Sequence, residues 1–77
     1  MKTIYENGLI SVKDTEKNSN PIMIIKNKTD KDVCIITEEY HEKVRVPAGK
    51  YSGLYPDGFG YFIFNAIDEG RFFCEVD

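Results

Sequence analysis

Short apolar segments alternate with polar turns along the whole chain, and each apolar segment has the length of a β-strand. IMIIK at residues 22–26 and VCIIT at residues 33–37 are apolar at every position but the last. This pattern is typical of central strands that are buried on both faces. KVRV at residues 43–46 alternates basic and apolar residues, which indicates a strand with one buried face.

A hairpin is predicted at each end of the chain. Asn7-Gly8 is a dipeptide that favours a type I′ turn, so we expect Thr3–Glu6 to pair with Leu9–Lys13. YFIFNA at residues 61–66 and RFFCEV at residues 71–76 are rich in β-formers and are predicted to pair as the second hairpin.

The spacing of these segments predicts the fold class. About seven to eight short strands, separated by turn signals and without an amphipathic helix, favour an all-β domain. The chain has 77 residues, so we expect a single domain over residues 1–77, a small antiparallel β-sandwich or barrel.

Charge and aromatic residues are unevenly distributed. The net charge is −3, and residues 51–77 contain Arg71 alone against five acids while holding eight of the ten aromatic residues. No apolar run approaches the about 20 residues of a membrane span, and the N-terminus lacks a secretory pattern. We therefore expect a cytoplasmic protein without membrane contact. The many Ile, Lys, Asn, Phe and Tyr residues favour an AT-rich genome, such as that of a low-GC bacterium or its phage.

DGFGYFIF at residues 57–64 resembles the first RNP motif of RNA-recognition modules and the glycine-aromatic strand of cold-shock domains. The resemblance implies that Phe59 and Tyr61 stack the bases of a single-stranded nucleic acid. The basic first position of the motif is Asp57, however, and the surrounding segment is acidic. Nucleic-acid binding is therefore the alternative function. It requires a basic stripe beside the aromatic residues, formed by Lys26, Lys28, Lys31, Lys43, Arg45 and Lys50.

Side-chain alternation along a strand divides the aromatic residues into two groups. Phe62 and Phe64 would face the core, packed against Phe72, Cys74 and Val76. The other group would either be covered by the second sheet of a sandwich or form an exposed surface that binds another protein or a second copy of the chain. The predicted protein-binding residues are Tyr55, Phe59, Tyr61, Phe73, Asp57 and Glu75.

No catalytic arrangement is recognisable in the sequence. His41 is the single histidine and lies in the charged segment EEYHEK, where a solvated loop residue is expected. Cys34 and Cys74 lack the spacing of a zinc site and are expected to be free thiols inside strands. We therefore expect no enzyme activity, metal or cofactor. The expected function is that of a non-catalytic protein-interaction module, such as a small inhibitor or accessory subunit.

Overall fold

The computed structural model describes residues 2–15, 20–39 and 43–77. Within these ranges the chain forms seven strands and one short helix. In chain order they are β1 (Lys2–Glu6), β2 (Ile10–Asp14), β3 (Met23–Asn27), β4 (Val33–Thr37), β5 (Lys43–Val46), β6 (Tyr51–Leu54), α1 (Gly58–Asp68) and β7 (Phe72–Val76).

The strands form two antiparallel sheets. One sheet has four strands in the order β1-β2-β3-β6, and the other has three in the order β5-β4-β7. Strand β5 lies beside β6, while the ring of Tyr5 in β1 packs edge-on against Phe72 in β7, with 4.9 Å between the ring centroids. The sheets therefore lie face to face. This confirms the antiparallel sandwich; the structure is not a closed barrel.

The core fills the space between the two sheets. All five residues of β4 are buried, including Thr37, as the apolar run at residues 33–36 predicts for a central strand. In β5, Val44 and Val46 are buried while Lys43 and Arg45 are exposed, which confirms the predicted alternation. The buried core cluster consists of Ile10, Val12, Ile22, Met23, Ile25, Val33, Ile35, Val44, Val46, Leu54, Ile63 and Ile67.

The N-terminal hairpin is present, but its turn differs from the predicted one. Strands β1 and β2 pair with Glu6 opposite Ser11. The side chain of Asn7 closes the connection, because its Oδ1 accepts hydrogen bonds from the backbone N–H groups of Leu9 and Ile10, each at 2.8 Å. Gly8 does not have the positive φ that a type I′ turn requires. The Asn7 side chain, rather than a left-handed backbone, makes this turn.

The predicted strand at residues 61–66 is wrong, as is the expected absence of an amphipathic helix. The segment forms most of α1, and its buried residues are Gly60, Ile63, Ala66 and Ile67. This spacing of three and four residues is that of one helical face. Phe62 and Phe64 flank that face and are half-buried, whereas the strand pattern placed them in the core. On β7, Phe72 and Cys74 do pack against the core, but Val76 is exposed.

Both ends of α1 are capped by specific residues. The Asp57 carboxylate accepts a hydrogen bond from the backbone N–H of Gly60 at 2.7 Å, as an N-cap residue does. At the other end Gly70 has a φ of 73°. The N–H of Arg71 donates to the carbonyl of Ala66, and the N–H of Gly70 to that of Ile67, the Schellman pattern. The helix thus connects the edge strand β6 of one sheet to the edge strand β7 of the other.

Asn27 fixes the turn between β3 and β4. Its side chain is fully buried, and its Nδ2 donates to the carbonyl oxygens of Lys31 at 2.6 Å and Val46 at 2.9 Å. Its Oδ1 accepts from the backbone N–H and the hydroxyl of Thr29. Because these bonds tie β3 to β5 as well as to the turn, the backbone around Lys28 has a defined position.

Candidate binding face

The outer surface of the four-stranded sheet contains an open cavity of about 610 Å³. Its charged and aromatic residues are Lys13, Lys26, Lys28, Tyr51 and Tyr55, and we call this surface the lysine–tyrosine face. The described residues that line the cavity are Glu6, Ser11, Lys13, Pro21, Ile24, Lys26, Lys28, Tyr51, Gly53 and Tyr55.

Strand register brings the cationic residues together. Lys26 on β3 lies between Ser11 on β2 and Tyr51 on β6, and Lys13 on β2 is paired with Ile24 on β3. Lys13 and Lys26 are therefore diagonal neighbours on one face, a relation in which Cβ atoms lie about 7 Å apart. Among the described residues, no carboxylate forms an ion pair with either lysine. Lys13 and Lys26 therefore place two positive charges on this surface without a described carboxylate paired to either of them.

The tyrosines form the side of the cavity nearest β6. Tyr51 is 63% exposed and Tyr55 is 59% exposed. The ammonium group of Lys26 lies over the Tyr51 ring, 5.1 Å from its centroid, which is a cation–π contact. Gly53 lies between the two tyrosines in sequence and lines the cavity without a side chain. A Cβ at this position would lie 3.1 Å from two ring carbons of Pro21.

The helix start holds the backbone of Tyr55. The N–H of Asp57 donates to the carbonyl oxygen of Tyr55 at 2.8 Å. The same oxygen lies so close to Gly60 that a Cβ there would be 1.8 Å away. Because Gly60 has no side chain, the first turn of α1 packs directly against the backbone of Tyr55, which lines the cavity.

Among the described residues, one acid lines the cavity, and it forms an ion pair. Glu6, the last residue of β1, has its Oε2 3.3 Å from the Nζ of Lys28. The side chains keep 57% and 31% of their exposure, respectively, so solvent reaches both. Of the three lysines on the lysine–tyrosine face, Lys28 alone has a described carboxylate partner.

The six residues predicted to bind protein are all exposed, but they do not form one surface. Tyr55 lies on the lysine–tyrosine face, and Phe59 lies in the first turn of α1. Tyr61, two residues further along the helix, points about 200° away from Phe59. Phe73 and Glu75 are on β7, opposite Ile36 and Cys34 of β4, on the outer surface of the three-stranded sheet. Asp57 caps the helix. The role of these residues in binding stays a prediction.

The basic stripe required for nucleic-acid binding is divided between the two sheets. Lys26 and Lys28 lie beside Tyr51 and Tyr55, not beside the expected aromatic residues of the helix. Lys43 and Arg45 are on β5 of the other sheet. Arg45 is paired with Asp32 and Asp77, and its hydrogen bond to Asp77 raises its pKa. The nearby acids therefore neutralise this arginine.

The two cysteines are free and lie on opposite faces of the three-stranded sheet. Ile35 is the residue opposite Cys74, whereas Cys34 is opposite Glu75. Because neighbouring residues of a strand point to opposite faces, the sheet separates the two sulfur atoms. Burial raises the pKa of the Cys74 thiol, and a hydrogen bond with Asn7 partly offsets this effect.

We expect both thiols to be reduced and slow to react in the folded protein, because Cys34 is buried and the raised pKa of Cys74 leaves little of the reactive thiolate. Alkylation in denaturant without reductant, followed by intact-mass measurement, should give two adducts, while native protein at neutral pH should gain them slowly. A mass with fewer than two adducts after denaturation would show that at least one thiol is oxidised.

His41 and Glu42 lie outside the described residues, so the predicted solvated loop at EEYHEK is described only at its ends. Within the described ranges, no three His, Cys, Asp or Glu side chains are grouped closely enough to hold a metal ion. No helix in those ranges has the length and hydrophobicity needed to cross a bilayer. No family model, curated protein or solved structure matches the chain.

Proposed function

We propose that this protein is a non-catalytic interaction module that binds an acidic segment of another protein on its lysine–tyrosine face. The observation that carries the proposal is the juxtaposition of the unpaired Lys13 and Lys26 with the exposed Tyr51. An anionic ligand placed between the two lysines would relieve their mutual repulsion. The ligand chemistry follows from the charges on this face, which are opposite in sign to the net charge of the chain.

The tyrosines support a protein ligand. Their large side chains supply contact area with few rotatable bonds, which is why tyrosine is enriched in protein interfaces. The hydroxyl groups can donate hydrogen bonds to carboxylates at the rim of the cavity. A segment with acidic and apolar residues would therefore find both kinds of contact, with its carboxylates at Lys13 and Lys26 and its apolar groups at Tyr51 and Tyr55.

Single-stranded nucleic acid is the second candidate for the same face, because lysines and aromatic rings are also what such a ligand needs. Two observations favour protein. Lys26 covers one side of the Tyr51 ring, so that side is not free for a base to stack on. Three lysines, one of them paired with Glu6, offer few phosphate contacts to a strand that binds mainly through its backbone.

We also propose that the protein is cytoplasmic, as expected from the sequence, and that it acts as an inhibitor or accessory subunit of the protein that it binds. Phe59, Tyr61 and Phe73 are exposed on other surfaces and are proposed as further contacts of the partner or of a second copy.

Fluorescence anisotropy with two labelled probes tests the proposal. One probe is a ten-residue peptide of alternating glutamate and leucine, and the other is a mixed-sequence single-stranded DNA of ten nucleotides, both at low ionic strength. We expect saturable binding of the peptide. Lys26→Glu should weaken it about tenfold, since it replaces an attraction by a repulsion worth about 1.4 kcal/mol in total.

Lys43→Glu is the matched control, because it makes the same charge change on the other sheet and should weaken peptide binding less than twofold. Equal losses in the two variants would mean that net charge alone governs binding, and the proposal would be wrong. Stronger binding of the DNA than of the peptide would make nucleic acid the ligand. Absence of binding by both probes would rule out the lysine–tyrosine face as an anion-binding surface.

A further inference from the structure

We propose that Glu6 is an intramolecular competitor for Lys28, so that the acidic ligand must displace the Glu6 carboxylate to use the third lysine of the face. This inference rests on the proposed function and adds a residue that regulates its affinity. It starts from the ion pair of 3.3 Å between Glu6 and Lys28, both of which line the cavity.

The backbone on both sides of this ion pair is held in place. Glu6 ends β1 and is paired with Ser11 of β2. Lys28 follows β3, and its backbone N–H donates to the carbonyl oxygen of Leu9 at 2.8 Å. The adjacent Asn27 is anchored by four hydrogen bonds. The carboxylate and the ammonium group are therefore kept within reach of each other at the rim of the cavity.

The ion pair is suited to displacement rather than to stabilising the fold. Both side chains are partly exposed, and exposed ion pairs are weak and screened by salt. A ligand carboxylate offers Lys28 the same interaction that Glu6 offers. Because Glu6 is also the one acid among the described residues of the lining, it repels any anionic ligand that approaches.

Removing this competitor should tighten binding of the acidic peptide. We expect Glu6→Gln to lower the dissociation constant of the glutamate–leucine peptide about fourfold. The gain should depend on Lys28: in a Lys28→Gln background, Glu6→Gln should change the dissociation constant less than 1.5-fold. The matched control is Asp68→Asn, which removes one negative charge from the exposed end of α1 and should change binding less than 1.5-fold.

The four variants form a double-mutant cycle plus a charge control, measured by the same anisotropy titration. Equal gains from Glu6→Gln and Asp68→Asn would overturn the inference, since only overall charge would then matter. A gain that persists without Lys28 would also overturn it. If the wild type binds the peptide and Lys26→Glu weakens it while Glu6→Gln has no effect, the competitor role fails and the proposed function stands. If neither wild type nor Glu6→Gln binds, both fail.

Discussion

Gly60→Ala should destabilise the protein by about 3 kcal/mol or more. The added Cβ would lie 1.8 Å from the carbonyl oxygen of Tyr55, and that oxygen belongs to the backbone and cannot rotate away. The first turn of α1 would have to move off Tyr55, which would also strain the hydrogen bond from Gly60 to Asp57. Urea unfolding followed by circular dichroism measures the loss as a lower midpoint.

Gly58→Ala is the matched control in the same helical turn. A Cβ at Gly58 meets no atom within 4 Å, so the substitution adds a good helix former in open space. We expect it to leave stability unchanged or raise it by up to about 1 kcal/mol. Similar losses in the two variants would contradict the close contact between Gly60 and Tyr55 as the cause of the destabilisation.

Ile63→Ala should lower the free energy of unfolding by about 3 kcal/mol, a large part of the stability of a domain of this size. Ile63 is fully buried on the inner face of α1, where its side chain belongs to the core cluster. Phe64→Ala should cost about half as much, because Phe64 is half-buried at the margin of that face. Thermal melting of both variants gives the comparison.

The relative losses of stability in Ile63→Ala and Phe64→Ala distinguish a helix from a strand at residues 61–66. In a strand, Ile63 would point away from the face of Phe62 and Phe64, and its loss would be the smaller one. A lower melting temperature for Phe64→Ala than for Ile63→Ala would therefore support strand packing of residues 61–66. The expected order supports the helix.

The β-strands of the sandwich could be predicted because their signals are local. Residues 33–36 are apolar without interruption and residues 43–46 alternate, and each pattern lies in the strand that it predicts. The N-terminal hairpin could be predicted for the same reason, although the hydrogen bonds of the Asn7 side chain were not evident from the Asn-Gly pair.

The helix was missed because its aromatic residues have high β-propensity and resemble a base-stacking strand. Local signals for a helix were nevertheless present. Asp57 is a favourable N-cap residue, Gly70 is a favourable residue just past a C-terminus, and the interval between them suits a helix of three turns. Burial of Ile63 and Ile67 in the core cluster outweighed the β-propensity of the aromatic residues.

The lysine–tyrosine face depends on which strands become neighbours, and this cannot be read from local pattern. Lys13, Lys26 and Tyr51 are far apart in sequence, yet β2, β3 and β6 are adjacent in one sheet. Tyr55 is the one residue shared by the predicted binding group and the cavity. The pairing of β3 with β6, which skips β4 and β5, creates the surface.

The ion pairs of the two arginines have a consequence for covalent modification. Arg45 is bound to Asp32 and Asp77, and Arg71 is bound to Glu39 and Glu69. Neither arginine lines the cavity, so the positive charge of its described lining comes from the primary amines of Lys13, Lys26 and Lys28. Acetylation or another acylation of these amines would remove that charge, whereas such reagents spare the guanidinium groups and leave the ion pairs of Arg45 and Arg71 unchanged. Lysine acylation would therefore abolish anion binding on this face and leave the domain folded, because no lysine belongs to the core cluster.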